Sequence, residues 1–194
     1  MEDGAVFLEY FTFADMPRLI SWFTSPRLLF QFDPKLSFPL TMPQLEAYFT
    51  DFNREGANHF AFKVIHSELG PIGHAELFPI DCYHRFGVIS HILVGDENLR
   101  GRGYGKRLME LLCEFGFHHL ALHRLELLVF AFNTPAIACY EKVGFRKEGL
   151  FREKRLFAGE YHSSYIMGLL DREYFQRNPT SVKGPLPMAD KDPC

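Results

Sequence analysis

Arg100-Gly101-Arg102-Gly103-Tyr104-Gly105-Lys106-Arg107 is the stretch on which the reading of this chain turns. Before it lies an extended apolar segment, residues 86–94. After it, Leu108, Leu111, Leu112 and Phe115 recur at i, i+3, i+4 and i+7, which is one face of a long helix. Glycines between a strand and a helix let the backbone approach a ligand and turn its N–H groups inward. The helix start adds about half a positive charge. Arg100, Arg102, Lys106 and Arg107 surround the same spot, so the segment predicts an anion site of pyrophosphate size. Two phosphate-binding patterns fail on spelling. A P-loop needs Ser or Thr after Gly-Lys, where this chain has Arg107. The pattern GxGxxG ends on Lys106 when started from Gly101 and on Leu108 when started from Gly103.

Towards the N-terminus, residues 6–13 read as a first strand. Asp15 is an N-cap candidate with Pro17 in the first turn, and Leu19, Ile20 and Phe23 mark one apolar face up to Pro26. Residues 27–40 are rich in Pro and Phe and read as an ordered loop. Thr41 caps a helix carrying Leu45, Tyr48, Phe49 and Phe52. Residues 59–66 and 72–78, separated by Leu69-Gly70-Pro71, read as a hairpin. Residues 125–130, apolar at almost every position, form a buried strand. A short helix starts at Thr134-Pro135, with Thr134 as its cap, and stops at Gly144. Residues 145–157 and 161–170 are a final pair of strands. The order implies a mixed α/β sheet flanked by helices. Residues 1–177 read as one domain and 178–194, rich in Pro, Ser, Lys and Asp, as a loose tail.

Arg100, Gly103 and Gly105 satisfy R/Q-x-x-G-x-G/A. Further on, Phe132-Asn133-Thr134-Pro135-Ala136-Ile137-Ala138-Cys139-Tyr140-Glu141-Lys142-Val143-Gly144-Phe145 matches N-x-x-A-x-x-x-Y-E-K-x-G-F. The two blocks, in this order and at this spacing, resemble the GNAT (Gcn5-related) N-acetyltransferases, in the branch of ribosomal-protein N-terminal and spermidine/spermine acetyltransferases. The resemblance runs from about Gly70 to Leu170. It implies a GNAT fold whose mixed central sheet splays to admit acetyl-CoA. Pantetheine would pair with backbone near Leu93 and Val94, and residues 100–107 (Gly101 and Tyr104 included) would hold the pyrophosphate. Asn133 would meet the pantetheine arm, and Ala136 would be a further cofactor-binding residue. Tyr140 would donate a proton to the departing sulfur.

For the general base, the residues leave Glu76, His91 or a water chain open. Glu76 sits among apolar residues of a strand, where burial would raise its pKa towards usefulness. Strand alternation places His74 on the same face. His91 titrates near neutrality. The acceptor side would be built from Phe30, Phe32, Phe38, Tyr83, Phe157 and Tyr161 with Asp33, Asp81 and Glu160; the same aromatics also suit a core or a homodimer contact. Polyamine, peptide N-terminus, amino sugar and antibiotic amine stay open as acceptors, and so does a catalytically idle domain that binds acetyl-CoA as a sensor.

Composition narrows the rest. The chain has 194 residues, 47% hydrophobic and 23% charged, with a formal net charge of −3, so it lacks the basic balance of a nucleic-acid binder. Asp96 and Glu97 beside the arginine cluster point the same way. Cys82, Cys113, Cys139 and Cys194 form no CxxC pair, which argues against structural metal. Lone thiols, and an N-terminus without a basic region, lead us to expect a cytoplasmic protein. No apolar run approaches the roughly 20 residues that span a bilayer.

Overall fold

Prolines and short polar side chains punctuate the chain where its hydrophobic period changes, and the elements begin there. The computed structural model describes residues 4–50, 52–53 and 58–179. Its elements run β1 (Val6–Tyr10), α1 (Met16–Ser21), α2 (Pro26–Phe32), α3 (Met42–Tyr48), β2 (Phe60–His66), β3 (Gly70–Asp81), β4 (Phe86–Val94), α4 (Tyr104–Glu114), β5 (Arg124–Phe130), α5 (Thr134–Val143), β6 (Arg146–Phe157), β7 (Glu160–Leu170) and α6 (Asp171–Arg177). The strands form one seven-stranded sheet in the order β1-β2-β3-β4-β5-β7-β6. Neighbours are antiparallel except β4 and β5, which are parallel and joined through α4, as a parallel pair requires. Among the described residues no helix is long and apolar enough to cross a membrane.

Alternation along β2 assigns its two faces. Phe60, Phe62 and Val64 join Leu108, Met109, Leu112, Leu125 and Leu127 in a core beneath α4 and α5. Ala61 joins Met16, Leu19, Leu29, Leu45 and Phe49 in a second core beneath α1, α2 and α3. Helices therefore cover both faces of a mixed sheet, the architecture expected from the sequence.

The central feature is the parting of β4 from β5. Paired positions run from Phe86–Arg124 to Ile89–Leu127 and stop there. Both strands continue, β4 to Val94 and β5 to Phe130. β4 also carries a bulge. Glu76 faces Ser90, but His74 faces Leu93, so β4 holds an extra residue in between. His91 sits in that bulge with φ +50°, a conformation disfavoured for a residue with a side chain. Two glycines allow close packing at the same end of the sheet. A Cβ on Gly73 would lie 2.4 Å from the Leu93 carbonyl oxygen, and one on Gly95 would lie 2.2 Å from the Trp22 ring.

Several expectations are corrected. Residues 26–32, expected largely as loop, form α2. Ser25 Oγ accepts from Leu28 N at 3.3 Å, Pro26 occupies the first turn, and Leu29, Phe30 and Phe32 are buried. The proline marks a helix start there rather than a loop. The first strand ends at Tyr10, because Thr12 N and Oγ1 both donate to Asp15 Oδ2 at 2.8 Å and close a turn. Asn133, not Thr134, caps α5, accepting from Ala136 N. α6 was not anticipated. Of the expected tail, residues 180–194 lie outside the described residues. Cys113 and Cys139 are free thiols, but Cys82 is disulfide-bonded, which corrects the reading of four lone cysteines.

Candidate functional site

The parting of β4 and β5 opens a cavity of about 370 Å³. Ser90, His91, Ile92 and Leu93 of β4 form one wall, and Leu128, Val129 and Phe130 of β5 the other. Phe32 and Asp33, at the end of α2, close one side. Asn133 and Tyr140 of α5 and Lys154 and Arg155 of β6 complete the lining. Of the sequence-selected residues, the cavity brings together Leu93, Asn133, Tyr140 and His91. Val94, Ala136 and Glu76 do not reach it.

Glu76 lies behind the cavity wall and is fully buried, yet well partnered. Its Oε2 accepts from Tyr48 Oη at 2.7 Å and His59 Nε2 at 2.8 Å, and lies 3.1 Å from His91 Nδ1. Its Oε1 lies 2.8 Å from His74 Nε2. The shared face of His74 and Glu76 is as strand alternation requires. The pKa expectation is corrected. Burial pushes the carboxyl up, but His91 beside it and the hydrogen bonds from His59, His74 and His91 outweigh that and hold Glu76 well below the usual range. A carboxylate held by four donors has no free lone pair directed at a substrate amine.

His91 links this cluster to the cavity. Its Nε2 is 3.3 Å from Asp33 Oδ2, so the ring lies between two carboxylates. Burial opposes its charge, but Glu76 and Asp33 prevail and push His91 up to about 10. At neutral pH it is an imidazolium donating to both. His74 moves the other way: burial lowers it, against the pull of Glu76, and its Nδ1 has no partner among the described residues. Tyr48, Asp33 and His59 complete the cluster. Sequence reading assigned Tyr48 only to a helix face. The available signal was polar side chains, His59, His74, Glu76 and His91, recurring inside otherwise apolar strands.

The glycine segment follows β4 after a short turn, residues 95–99. Gly101 and Gly103 have φ of +77° and +93°. A Cβ on Gly101 would meet nothing within 4 Å, so its backbone faces open space. Gly103 caps α4, and Arg107 N is the first amide to bond back, to Gly103 O at 3.1 Å. The N–H groups of Tyr104, Gly105 and Lys106 are thus left for another acceptor. Gly105 faces Cys139 and lets α4 pack on α5. The side chains divide. Arg100 is turned back as a clamp: Nε donates to Val94 O at 3.1 Å, Nη2 to Gly95 O at 3.3 Å, and Nη1 pairs with Glu97 at 3.2 Å. Lys106 and Arg107 pair with Glu110 at 2.7 and 3.9 Å in exposed contacts that exchange readily. Tyr104 is buried in the core, 1% exposed, so only its backbone faces the turn.

Tyr140 ends the arrangement on the α5 side. It is 9% exposed and lines the cavity. Burial raises its pKa, so it stays a neutral proton donor. No group among the described residues pairs with its hydroxyl. Of the expected acceptor-side residues, only Phe32 and Asp33 line the cavity. Phe30 is stacked between Phe130 and Phe157, at 4.7 and 4.4 Å. Tyr83 and Tyr161 are 90% and 65% exposed, Phe38 lies outside the lining, and Asp81 accepts from His84 N. Glu160 lies at the exposed β6–β7 turn.

Comparison with known proteins agrees with this geometry. Residues 19–145 match the model of the Acetyltransferase (GNAT) family. A Bacillus subtilis relative, the SPbeta prophage-derived uncharacterized N-acetyltransferase YokL, is 32% identical over 62% of this chain and 67% of its own. The spermidine N(1)-acetyltransferase of Vibrio cholerae is 30% identical over 60% of this chain and 66% of its own. The crystal structure of the Vibrio cholerae spermidine N-acetyltransferase in complex with CoA and spermine superposes with a TM-score of 0.73 at 23% identity, covering 88% of this chain and 98% of that one. At that identity the likeness is one of fold. With two sequence blocks in order, a sheet parted between β4 and β5 and a family match across most of the described residues, the chain belongs to the acetyltransferase (GNAT) family.

Proposed function

We propose that this protein moves the acetyl group of acetyl-CoA to a primary amine by direct attack in a ternary complex, with residues 1–177 acting as one catalytic domain. The observation that carries this is the parting of β4 from β5, which opens a cavity lined by Leu93, Asn133 and Tyr140, with a glycine turn at the start of α4, past the end of β4, whose first N–H groups have no intrahelical acceptor.

The residues fit the coenzyme. Gly101 and Gly103 give the backbone the approach that a pyrophosphate needs, and the α4 terminus favours its charge. Beyond Ile89, the β4 groups left by β5 offer strand-like pairing to an amide-bearing arm. Bound acetyl-CoA supplies an activated thioester carbonyl. The chain's own tasks are positioning and proton handling. Tyr140, neutral and facing the cavity, donates to the leaving sulfur. Glu76, saturated by its donors, acts as a positioning residue: with Asp33 it fixes His91 at the wall. His91 is charged at neutral pH, so it does not serve as a resting base. The amine enters neutral, and its proton leaves through water.

The test is direct. The purified protein, acetyl-CoA and a library of amines are incubated, with free thiol and acetylated amine both measured. We expect thiol release that depends on the amine and matches product formation. Binding of acetyl-CoA with no thiol release across the library would contradict the reading and favour an acetyl-CoA sensor, and thiol release without any acetylated amine would contradict it in favour of thioester hydrolysis.

A further inference from the structure

Among the described residues the cavity lining carries one carboxylate, Asp33, and four basic groups, Lys35, His91, Lys154 and Arg155. Asp33 is already engaged, by Lys35 N at 2.8 Å on Oδ1 and His91 Nε2 at 3.3 Å on Oδ2. Of the basic groups, His91 is balanced by Asp33 and Glu76, and Lys35 acts on Asp33 only at longer range; Lys154 and Arg155 are not balanced in the same way. No carboxylate among the described residues lies within ion-pair distance of Lys35, Lys154 or Arg155. Lys154 rests over the Phe151 ring at 3.9 Å, and Arg155 Nη1 reaches only the Lys154 carbonyl, at 3.4 Å. Lys154 and Arg155 also stand where β6 departs from regular pairing with β7, between Phe151–Ser164 and Arg155–His162. Glu153, beside them, adopts φ +52°. The irregular strand thus presents two adjacent cations at the cavity mouth.

Such a lining repels a polycation. An anionic group, by contrast, is attracted to it. The remaining wall, with Leu28, Phe32, Phe78, Leu128 and Phe130, is apolar.

Building on the function proposed above, we infer that the acceptor is a small amine that itself carries an anionic group, a carboxylate as in an apolar α-amino acid, held by Lys35, Lys154 and Arg155. A phosphate on the acceptor would present the same chemistry, so the experiment includes both sources. Steady-state acetylation of leucine, leucinamide, glucosamine 6-phosphate and spermidine is compared. Calorimetry measures the affinity of leucine for the protein saturated with CoA, and separately that of acetyl-CoA.

The expected result is a kcat/KM for leucine at least tenfold above that for leucinamide, with spermidine lowest. Leucinamide has the less basic amine, so this order cannot arise from amine protonation alone. Glucosamine 6-phosphate in first place would support an anion-bearing acceptor with phosphate as its source. The variant Lys154→Ala/Arg155→Ala should remove the preference and weaken leucine binding at least tenfold, while the Kd of acetyl-CoA stays unchanged. Equal use of leucine and leucinamide, or preference for spermidine, would overturn the inference. So would a variant that weakens acetyl-CoA alone, since the two cations would then serve the coenzyme. Failure of acetyl-CoA to bind the unaltered protein would instead count against the underlying function.

Discussion

Tyr140 and Glu76 show how the same physical cause gives opposite outcomes at single residues. Burial raises Tyr140, which has no partner to resist it, and leaves a neutral hydroxyl in the cavity wall. Burial also works to raise Glu76, but four donors overrule it. Tyr140→Phe keeps the ring and removes only the hydroxyl. Folding and acetyl-CoA affinity should hardly change, and turnover of a good acceptor should fall by about two to four orders of magnitude, the usual worth of positioned acid–base help. An unchanged rate would make Tyr140 a packing residue. The Tyr140 position was legible in the sequence, because its motif surrounds it with Asn133, Ala136 and Gly144 at fixed spacing. The state of Glu76 was not. Its donors Tyr48, His59 and His91 are 28, 17 and 15 positions away, and only the register of β2, β3 and β4 brings them together.

At the scale of elements, β4 does the deciding. Its bulge places His91 at φ +50°, and its pairing with β5 stops at Ile89. The ion cluster held there should leave a signature in stability. The folded value of His91, about 10, lies above its ordinary 6.5, so its contribution is complete below about pH 6.5 and is lost as pH rises through about 10. Glu76, held low, contributes above the carboxylate range and loses that contribution as pH falls through its folded value. Melting temperature should therefore decline from neutral pH towards pH 10. His91→Gln should cost about 3–5 kcal/mol at pH 7, as breaking one side of a buried pair does, and should flatten that alkaline decline. A variant with the wild-type slope would show that His91 is uncharged in the folded protein. The edges of β4 followed from its apolar run; the bulge did not, since an extra residue leaves no mark in a nine-residue strand read only by its apolar residues.

Across the molecule, the fold was most legible where two signals coincided. The helix after the glycine segment, the hairpin at Gly70 and the buried strand β5 each combine periodicity with turn or capping residues. It was least legible in the N-terminal third, where Ser25-Pro26 starts α2 and the density of Pro and Phe suggested a loop. The second core depends on that third, since α1, α2 and α3 cover the second face of the sheet and deliver Phe32, Asp33 and Tyr48 to the site. The place where acetyl-CoA binds is central to every role assigned above. Calorimetric titration of acetyl-CoA into the wild-type protein and into Gly103→Val measures this most directly. Gly103 has φ +93° at the start of α4, where a branched side chain is strained and obstructs the phosphates. The account predicts saturable binding to the wild type, competed by CoA but not by ATP, and at least a hundredfold loss in a variant that still melts cooperatively. Unaltered affinity in the folded Gly103→Val protein would contradict it.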